Sequence, residues 1–164
     1  MSEILLAGIW GYLVGAIPTG VIVAQAMRGV DVRTTGSSHT GGTNVARVAG
    51  MWGGALTALG DILLGVLAVA VARMMWSHPL AGTVAGVAAI VGHDWSVFIR
   101  FAGGIGLAHL AGTMLGFDWL RALAGGGAFI LLWLILTKML HCHRARATIF
   151  GMLVFAPVLW MVGT

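Results

Sequence analysis

The segment from Gly29 to Arg47 is the most polar part of the sequence. It combines three glycines within seven residues with several hydroxyl side chains, an amide and arginines. Glycines let backbone N–H groups turn towards an anion, hydroxyls add donors, and an arginine fork matches phosphate oxygens. This pattern predicts a phosphate site, although a plain polar loop whose arginines only set membrane topology is an equal alternative.

Two further polar side chains lie within or beside apolar segments. Asp61 is the only charged residue between Ala49 and Ala72, and an acidic residue inside a membrane segment is by default a functional hypothesis. It could orient an arginine or a histidine, and the alternative is a neutral packing residue. His93 could act as a general base or donate to a phosphate, and the alternative is an interfacial histidine with ordinary hydrogen bonds.

A glycine-rich turn follows His93. Glycines would let a ligand approach the backbone closely, but tight helix packing explains them equally well. These glycines are Gly103, Gly104 and Gly106.

The third polar stretch contains His141, Cys142 and His143. Adjacent residues do not easily converge on one tetrahedral ion, and no distant pair completes a zinc site. A basic cluster against anionic lipid is the better interpretation. The sequence therefore predicts no metal site.

Composition shows what must position these residues. Of 164 residues, 59% are apolar and 9% are charged, whereas an ordinary soluble domain has about 25% charged residues. Such a chain cannot cover its exterior with polar groups, so most of that exterior faces lipid. The 26 glycines include three small-residue steps, in which two glycines are four positions apart: Gly11 and Gly15, Gly82 and Gly86, and Gly112 and Gly116. They indicate closely packed membrane helices. We expect an all-α integral membrane protein, a single domain over residues 1–164.

Hydropathy predicts about six short transmembrane helices. The middle two are short and could be tilted or re-entrant. With six crossings, seven of the nine Lys and Arg residues lie on one side of the membrane and two on the other. Because the positive excess marks the cytoplasmic side, this predicts that the glycine-rich motif loops are cytoplasmic and that both termini are outside. The predicted spans are Ile4–Met27, Ala49–Ala72, Leu80–Val91 (extended if Trp95–Ile99 continues it), Ile105–Phe117, Ala122–Leu140 and Ala147–Val162.

These motifs resemble the bacterial membrane acyl-phosphate glycerol-3-phosphate acyltransferases, the PlsY family. The first helix and first loop look like that family's opening motif, and two later stretches are similar to its Asp-x-x-Lys-Gly and Gly-Gly-Lys-Gly elements. The matching residues are Tyr12–Gly20, Asp31–Arg33, Gly36, Ser37, Gly41, Thr43, Asn44, Arg47, Asp61 with Gly65, Gly92 and His93 with Phe98 and Phe101, and Gly103, Gly104 and Gly106.

The resemblance implies transfer of a fatty acyl group from an acyl phosphate to glycerol 3-phosphate, making lysophosphatidic acid for phospholipid biosynthesis. It implies a multi-pass protein of the bacterial cytoplasmic membrane that needs no metal or nucleotide cofactor, binds no nucleic acid and has no obligate protein partner. Ser37, His93 and Asp61 would be catalytic. The substrate phosphates would be held by Arg33, Gly36, Thr43, Asn44, Arg47, Gly103, Gly104 and Gly106.

The sequence also departs from the family pattern. Ile105 and Leu64 stand where the family's motifs have lysine, and His109 stands where threonine is usual. The family also places a further helix and a His-Arg-x-Asn-type element beyond the position that Thr164 reaches, so the chain is expected to be C-terminally short. Two alternatives therefore stay open. One is a family member that binds a lipid or sugar-type phosphate without turnover, and the other is a small transporter that uses Asp61.

Overall fold

The computed structural model describes residues 1–140, His143 and Gly151. These residues form helices and connecting loops only, as the composition predicts. The chain divides into two compact units, Met1–Phe117 and Asp118–Thr164, and each is described by itself. The expectation of a single domain stays a prediction.

The first unit contains five α-helices and two short 3-10 turns. The first 3-10 turn, Val32–Thr34, lies in the loop between α2 and α3, and the second, Val97–Ile99, follows α4. The helices are α1 (Ser2–Gly15), α2 (Thr19–Arg28), α3 (Gly42–Met75), α4 (Ala81–Asp94) and α5 (Leu107–Phe117).

Pro18 divides the first predicted span into two helices. The sequence predicts a spanning helix over Ile4–Met27. In the structure this stretch consists of two helices, because α1 ends at Gly15 and α2 begins at Thr19. Proline has no backbone N–H and disfavours helical geometry in the residue before it. Together α1 and α2 still form a candidate span of 27 residues, Ser2–Arg28.

Helix α3 is longer than the sequence predicts. It begins at Gly42 instead of Ala49, so the end of the polar loop is helical. Gly50 interrupts its regular geometry with φ 82° and ψ 172°, a conformation that only glycine adopts without strain. The helix therefore has a short first part that carries Thr43, Asn44 and Arg47 and a long second part that carries Asp61.

Glycine and alanine form the contacts between helices in this unit. A Cβ atom added at Gly11 or Gly15 would overlap the backbone of Ala85 or Ala89 on α4, and one added at Gly112 would overlap Ile62 on α3. The small-residue steps predicted from sequence are thus closely packed helix contacts. Large apolar side chains such as those of Leu5, Leu63 and Val87 are exposed instead, as a lipid-facing surface requires.

The described residues contain four helical segments long and apolar enough to cross a membrane. They are Ser2–Arg28, Gly42–Met75, Ala81–Ile99 and Trp119–Met139. The predicted span Ile105–Phe117 corresponds to α5. The 11 residues of this helix extend only about 17 Å, which is shorter than the bilayer core of about 30 Å.

The second unit begins with α6 (Trp119–Leu134), followed by a π-helical turn, Ile135–Met139. The Asp118 carboxylate caps α6 by accepting a hydrogen bond from the Arg121 backbone N–H, at 3.1 Å. The predicted span Ala147–Val162 and the residues His141 and Cys142 lie outside the described residues.

Candidate functional site

The loop between α2 and α3 is tied down by an aspartate–arginine pair. Asp31 caps the Val32–Thr34 turn by accepting from the Arg33 N–H, and its carboxylate lies 2.6 Å from the Arg33 guanidinium. The hydrogen bond from Arg33 lowers the pKa of Asp31 below its usual value. Arg33 also donates to the carbonyl of Ile99 at 3.1 Å, so it joins the first loop to the second.

Asn44 holds the same loop in shape from inside. Its buried Nδ2 group lies 3.0 Å from the carbonyl oxygens of Val32, Thr35 and His39. Its Oδ1 atom accepts from the Ser37 backbone N–H at 3.0 Å. Because both ends of the amide are used, Asn44 organises the loop and exposes the Ser37 side chain.

Gly36 completes this arrangement. It has a φ of 61°, and an added Cβ atom would overlap Oδ1 of Asn44. A side chain at this position would therefore be strained and would break the contact between Asn44 and Ser37.

The glycine-rich second loop folds back onto the end of α4. The backbone N–H of Gly103 donates to the Asp94 carbonyl at 3.2 Å, and that of Gly104 donates to the His93 carbonyl at 3.1 Å. The Thr40 N–H donates to the Gly103 carbonyl at 3.4 Å, which brings both loops together. These amides are therefore used in the fold, and the two glycines support His93 instead of presenting free N–H groups.

Helix α4 brings His93 into the interior because its last turn is fixed against α1. The backbone at Gly92 approaches the Tyr12 carbonyl so closely that a Cβ atom would overlap it. The Tyr12 hydroxyl donates to the Trp95 carbonyl at 2.8 Å, and the Ser96 hydroxyl donates to the Ala16 carbonyl. His93 is only 6% exposed as a result.

Asp61, His93 and His109 meet between three helices. His93 Nδ1 lies 3.7 Å and His109 Nδ1 lies 3.9 Å from Asp61 Oδ1, and the two imidazole centroids are 4.4 Å apart. Asp61 is 1% exposed and His109 is fully buried. The Thr19 hydroxyl at the start of α2 donates to Asp61, which fixes the carboxylate.

Glycines explain how α5 reaches this cluster. A Cβ atom at Gly65 would lie 2.6 Å from the His109 carbonyl oxygen. With Gly112 against Ile62, the backbones of α3 and α5 cross almost in contact. His109 can therefore reach Asp61, which lies one helical turn before Gly65.

A cavity of about 550 Å³ joins the polar loop to this cluster. Ser37 and Thr43 border it with exposed side chains, and the buried Asp61 and His93 border its interior. Among the described residues that line it there is no lysine or arginine. The cavity combines hydroxyl donors with a buried carboxylate and imidazole, which suits a polar substrate whose proton must be removed.

The sequence-predicted site residues fall into two groups. Six border the cavity: Ser37, Thr43, Asn44, Asp61, His93 and Gly106. Five do not: Arg33, Gly36, Arg47, Gly103 and Gly104. The roles predicted for all of them stay predictions.

Sequence reasoning did not assign His109 and Thr19 to the site. His109 gave one usable signal, since it is a histidine inside the otherwise apolar segment Ile105–Phe117. Thr19 lies in the stretch Tyr12–Gly20 that resembles the family's opening motif, but nothing in that stretch indicates that its hydroxyl contacts Asp61.

Comparison with known proteins identifies the family. The sequence profile described as "Glycerol-3-phosphate acyltransferase" matches residues 5–163. A protein of that name from Rubrobacter xylanophilus is 45% identical over 135 residues, which cover 82% of this chain and 65% of the relative. One from Geotalea daltonii is 43% identical over 129 residues, covering 79% and 66%. This chain thus spans just under two thirds of the length of these relatives.

Solved structures give the same result. The fold matches a crystal structure of PlsY (YgiH), an integral membrane glycerol 3-phosphate acyltransferase, in its glycerol 3-phosphate form. The TM-score is 0.79 at 30% identity, over 98% of this chain and 78% of that one. The lysophosphatidic acid form of PlsY matches with a TM-score of 0.69 at 26% identity, over 96% of this chain and 86% of that one. The chain is therefore a multi-pass membrane protein that belongs to the glycerol-3-phosphate acyltransferase family.

Proposed function

We propose that this protein transfers a fatty acyl group from an acyl phosphate to the 1-hydroxyl of glycerol 3-phosphate. The product would be lysophosphatidic acid. The observation that carries the proposal is the cavity that combines exposed hydroxyls with the buried Asp61 and His93. The names of the relatives and the two ligand forms of PlsY support glycerol 3-phosphate as the acceptor.

The reaction needs positioning more than activation. The acceptor's hydroxyl oxygen attacks the acyl carbonyl carbon, a new ester C–O bond forms, and the anhydride C–O bond breaks to release inorganic phosphate. A mixed anhydride already has a good leaving group, so holding both substrates in line supplies much of the rate. What remains is to accept the hydroxyl proton and to stabilise the developing oxyanion.

His93 is the proposed general base. Its Nδ1 atom faces the Asp61 carboxylate at 3.7 Å, a separation that a modest rearrangement on substrate binding would close. With Nδ1 protonated towards Asp61, the other ring nitrogen is free to accept the substrate proton. Asp61 would then stabilise the imidazolium, while Thr19 holds the carboxylate in place.

Donors for the oxyanion and the phosphates come from the first loop. Ser37 and Thr43 border the cavity with exposed hydroxyls, and Gly106 contributes backbone at its wall. Arg47 is exposed one helical turn after Thr43, where it would attract the anionic substrates. Arg33 and Asn44 act indirectly by shaping the loop, since their polar groups are used within it.

The cellular setting is also part of the proposal. We assign the protein to the bacterial inner membrane, with the cavity loops facing the cytoplasm. Across the three candidate spans of the first unit, Arg28, Arg33, Arg47 and Arg100 lie on that side and Arg73 lies on the other. The described residues that line the cavity all belong to the first unit, and we propose that the protein acts without an obligate protein partner.

One observation favours a second candidate function. Lysine and arginine do not occur among the described residues that line the cavity, and Ile105 is part of its wall. Charge-assisted contacts to phosphate contribute about 1.5–3 kcal/mol each. The second candidate function is therefore a protein that binds a phosphate-bearing molecule in this cavity without catalysing its reaction.

A turnover assay separates the two functions. The purified 164-residue chain, in detergent or lipid cubic phase, would receive palmitoyl phosphate and glycerol 3-phosphate. Release of phosphate and formation of lysophosphatidic acid would be followed together. Catalysis predicts product that requires both substrates and falls about a hundredfold or more in His93→Gln, with little change in His78→Gln. A folded protein that binds glycerol 3-phosphate but forms no product would instead support the binding function.

A further inference from the structure

We propose that Asp61, His93 and His109 form a binding site for one zinc-class divalent cation beside the cavity. This site goes beyond the proposed acyl transfer, and its existence does not depend on that reaction. Sequence analysis predicts no metal site, because no ligand spacing is visible along the chain. The three residues come together only when α3, α4 and α5 pack.

The geometry of the three ligand atoms is close to that of a tetrahedral zinc site. The candidate atoms all lie within 4.8 Å of one another. Asp61 Oδ1 is 3.7 Å from His93 Nδ1 and 3.9 Å from His109 Nδ1. Zinc bonds of about 2.0–2.1 Å at tetrahedral angles require ligand atoms about 3.3 Å apart. A movement of about half an ångström would bring each histidine nitrogen to this distance from Asp61. The ligand atoms of the two histidines, which lie within 4.8 Å of each other, would have to approach by up to about 1.5 Å.

His109 provides an independent observation. Its side chain is fully buried, and neither ring nitrogen has a hydrogen-bond partner among the described residues. A buried polar atom without a partner is costly, and such atoms are rare in folded proteins. Coordination of a cation by the nitrogen that faces Asp61 would remove part of this cost.

The surroundings also suit a bound cation. Asp61 accepts a hydrogen bond from Thr19, the type of second contact that orients carboxylate ligands in metal sites. Two neutral imidazoles and one carboxylate leave a divalent ion with a net positive charge. Two nitrogen ligands favour zinc-class transition metals over magnesium or calcium, which prefer oxygen.

The position of the site suggests what the cation would do. Zinc held by three protein ligands keeps a fourth position for water or a substrate oxygen. Asp61 and His93 both border the cavity, so that position would face the space available to a substrate. A zinc-bound neutral His93 carries its proton on the other ring nitrogen and accepts no further one, so if the proposed function is correct, bound zinc holds His93 out of its role as general base. This last step alone depends on the proposed function.

Direct metal binding tests the proposal. The purified protein, without any affinity tag, would first be treated with chelator to remove bound metal. It would then be titrated with Zn²⁺, and elemental analysis after desalting would count the bound zinc. We expect one zinc ion per chain. Asp61→Asn, His93→Gln and His109→Gln should each weaken binding at least about tenfold. The matched controls His39→Gln, at the cavity wall, and His143→Gln, in the third polar stretch, should bind as the wild type does.

Two further readouts keep a folding defect from being mistaken for a lost ligand. Zn²⁺ should raise the Tm of the wild type and leave that of metal-free His109→Gln unchanged. Co²⁺ bound to the wild type should show the intense visible absorption of four-coordinate cobalt. Sub-stoichiometric zinc in the wild type, a six-coordinate cobalt spectrum, or equal weakening in His39→Gln would overturn the proposal. Product formation is measured separately, so a metal-free but active enzyme would refute the site and leave the proposed function standing.

Discussion

The imidazole of His93 packs directly against Gly104. The Gly104 backbone N–H donates to the His93 carbonyl at 3.1 Å. A Cβ atom added at Gly104 would overlap Nε2 and lie 2.9 Å from Cδ2 and 3.1 Å from Cε1 of the ring. The absence of a side chain at residue 104 therefore sets where the ring can lie, and with it the distance between His93 and Asp61.

The first prediction follows from this contact. Gly104→Ala should displace the His93 ring, and we expect kcat to fall about a hundredfold, the effect of a catalytic group misplaced by about 1 Å. Steady-state kinetics of lysophosphatidic acid formation would measure the loss. Gly8→Ala is the matched control, because its added methyl would meet only Val84, at 3.4 Å. Wild-type kcat in Gly104→Ala would show that the reaction does not need His93 in this position.

The second prediction concerns the buried amide of Asn44. Asn44→Ala removes the hydrogen bonds to four backbone groups of the first loop. Losing these buried hydrogen bonds should lower stability by about 1–3 kcal/mol, measured as a fall in Tm. Thr43→Ala, at the exposed neighbouring position, should leave Tm nearly unchanged. An equal Tm for Asn44→Ala and wild type would contradict a structural role for this amide.

Much of the membrane architecture was predictable, because it follows from composition and local pattern. Lipid-facing helices must be apolar throughout, so hydropathy finds them. The small-residue steps at Gly11 and Gly15 correctly predicted close helix packing. The break before Pro18 was missed because an uncharged run of 24 residues was read as one helix, although the proline itself carried the signal.

The candidate site was predictable only in part. Asp61 and His93 were chosen as polar residues within or beside apolar segments, and Ser37 was chosen through the family resemblance. All three border one cavity. His109 was not chosen, since its approach to Asp61 depends on a helix crossing that sequence spacing does not encode. Gly103 and Gly104 were expected to let a phosphate approach the backbone closely, and this stays a prediction. Their hydrogen bonds to the end of α4 were not predictable, because they depend on how the second loop folds back.

The third prediction is a pH dependence in the first loop. Because Arg33 lowers the pKa of Asp31 below its usual 3.8, ionised Asp31 stabilises the folded state above that value. The contribution is lost as pH falls through the lower, folded-state pKa. The pair is partly exposed, so the effect should be below about 1 kcal/mol.

Thermal unfolding of wild type and Asp31→Asn would measure this contribution. The difference in Tm should be constant above about pH 5 and shrink towards zero as the pH falls below about 3.8. Other carboxyl groups titrate in both proteins and cancel in the difference. A difference in Tm that grows on acidification would mean that Arg33 does not stabilise the Asp31 carboxylate.

The fourth prediction tests the side of the membrane on which the cavity opens. Cys142 is the only cysteine, so a Cys142→Ser variant is free of cysteine. In this variant, single cysteines would replace two exposed serines, Ser38 in the first loop and Ser77 between α3 and α4. If positive charge sets the orientation, a membrane-impermeant maleimide added to intact spheroplasts should label Ser77→Cys and not Ser38→Cys. Permeabilised cells should label both, which controls for reactivity. Labelling of Ser38→Cys alone in intact spheroplasts would invert the proposed topology and place the cavity loops on the side away from cytoplasmic glycerol 3-phosphate.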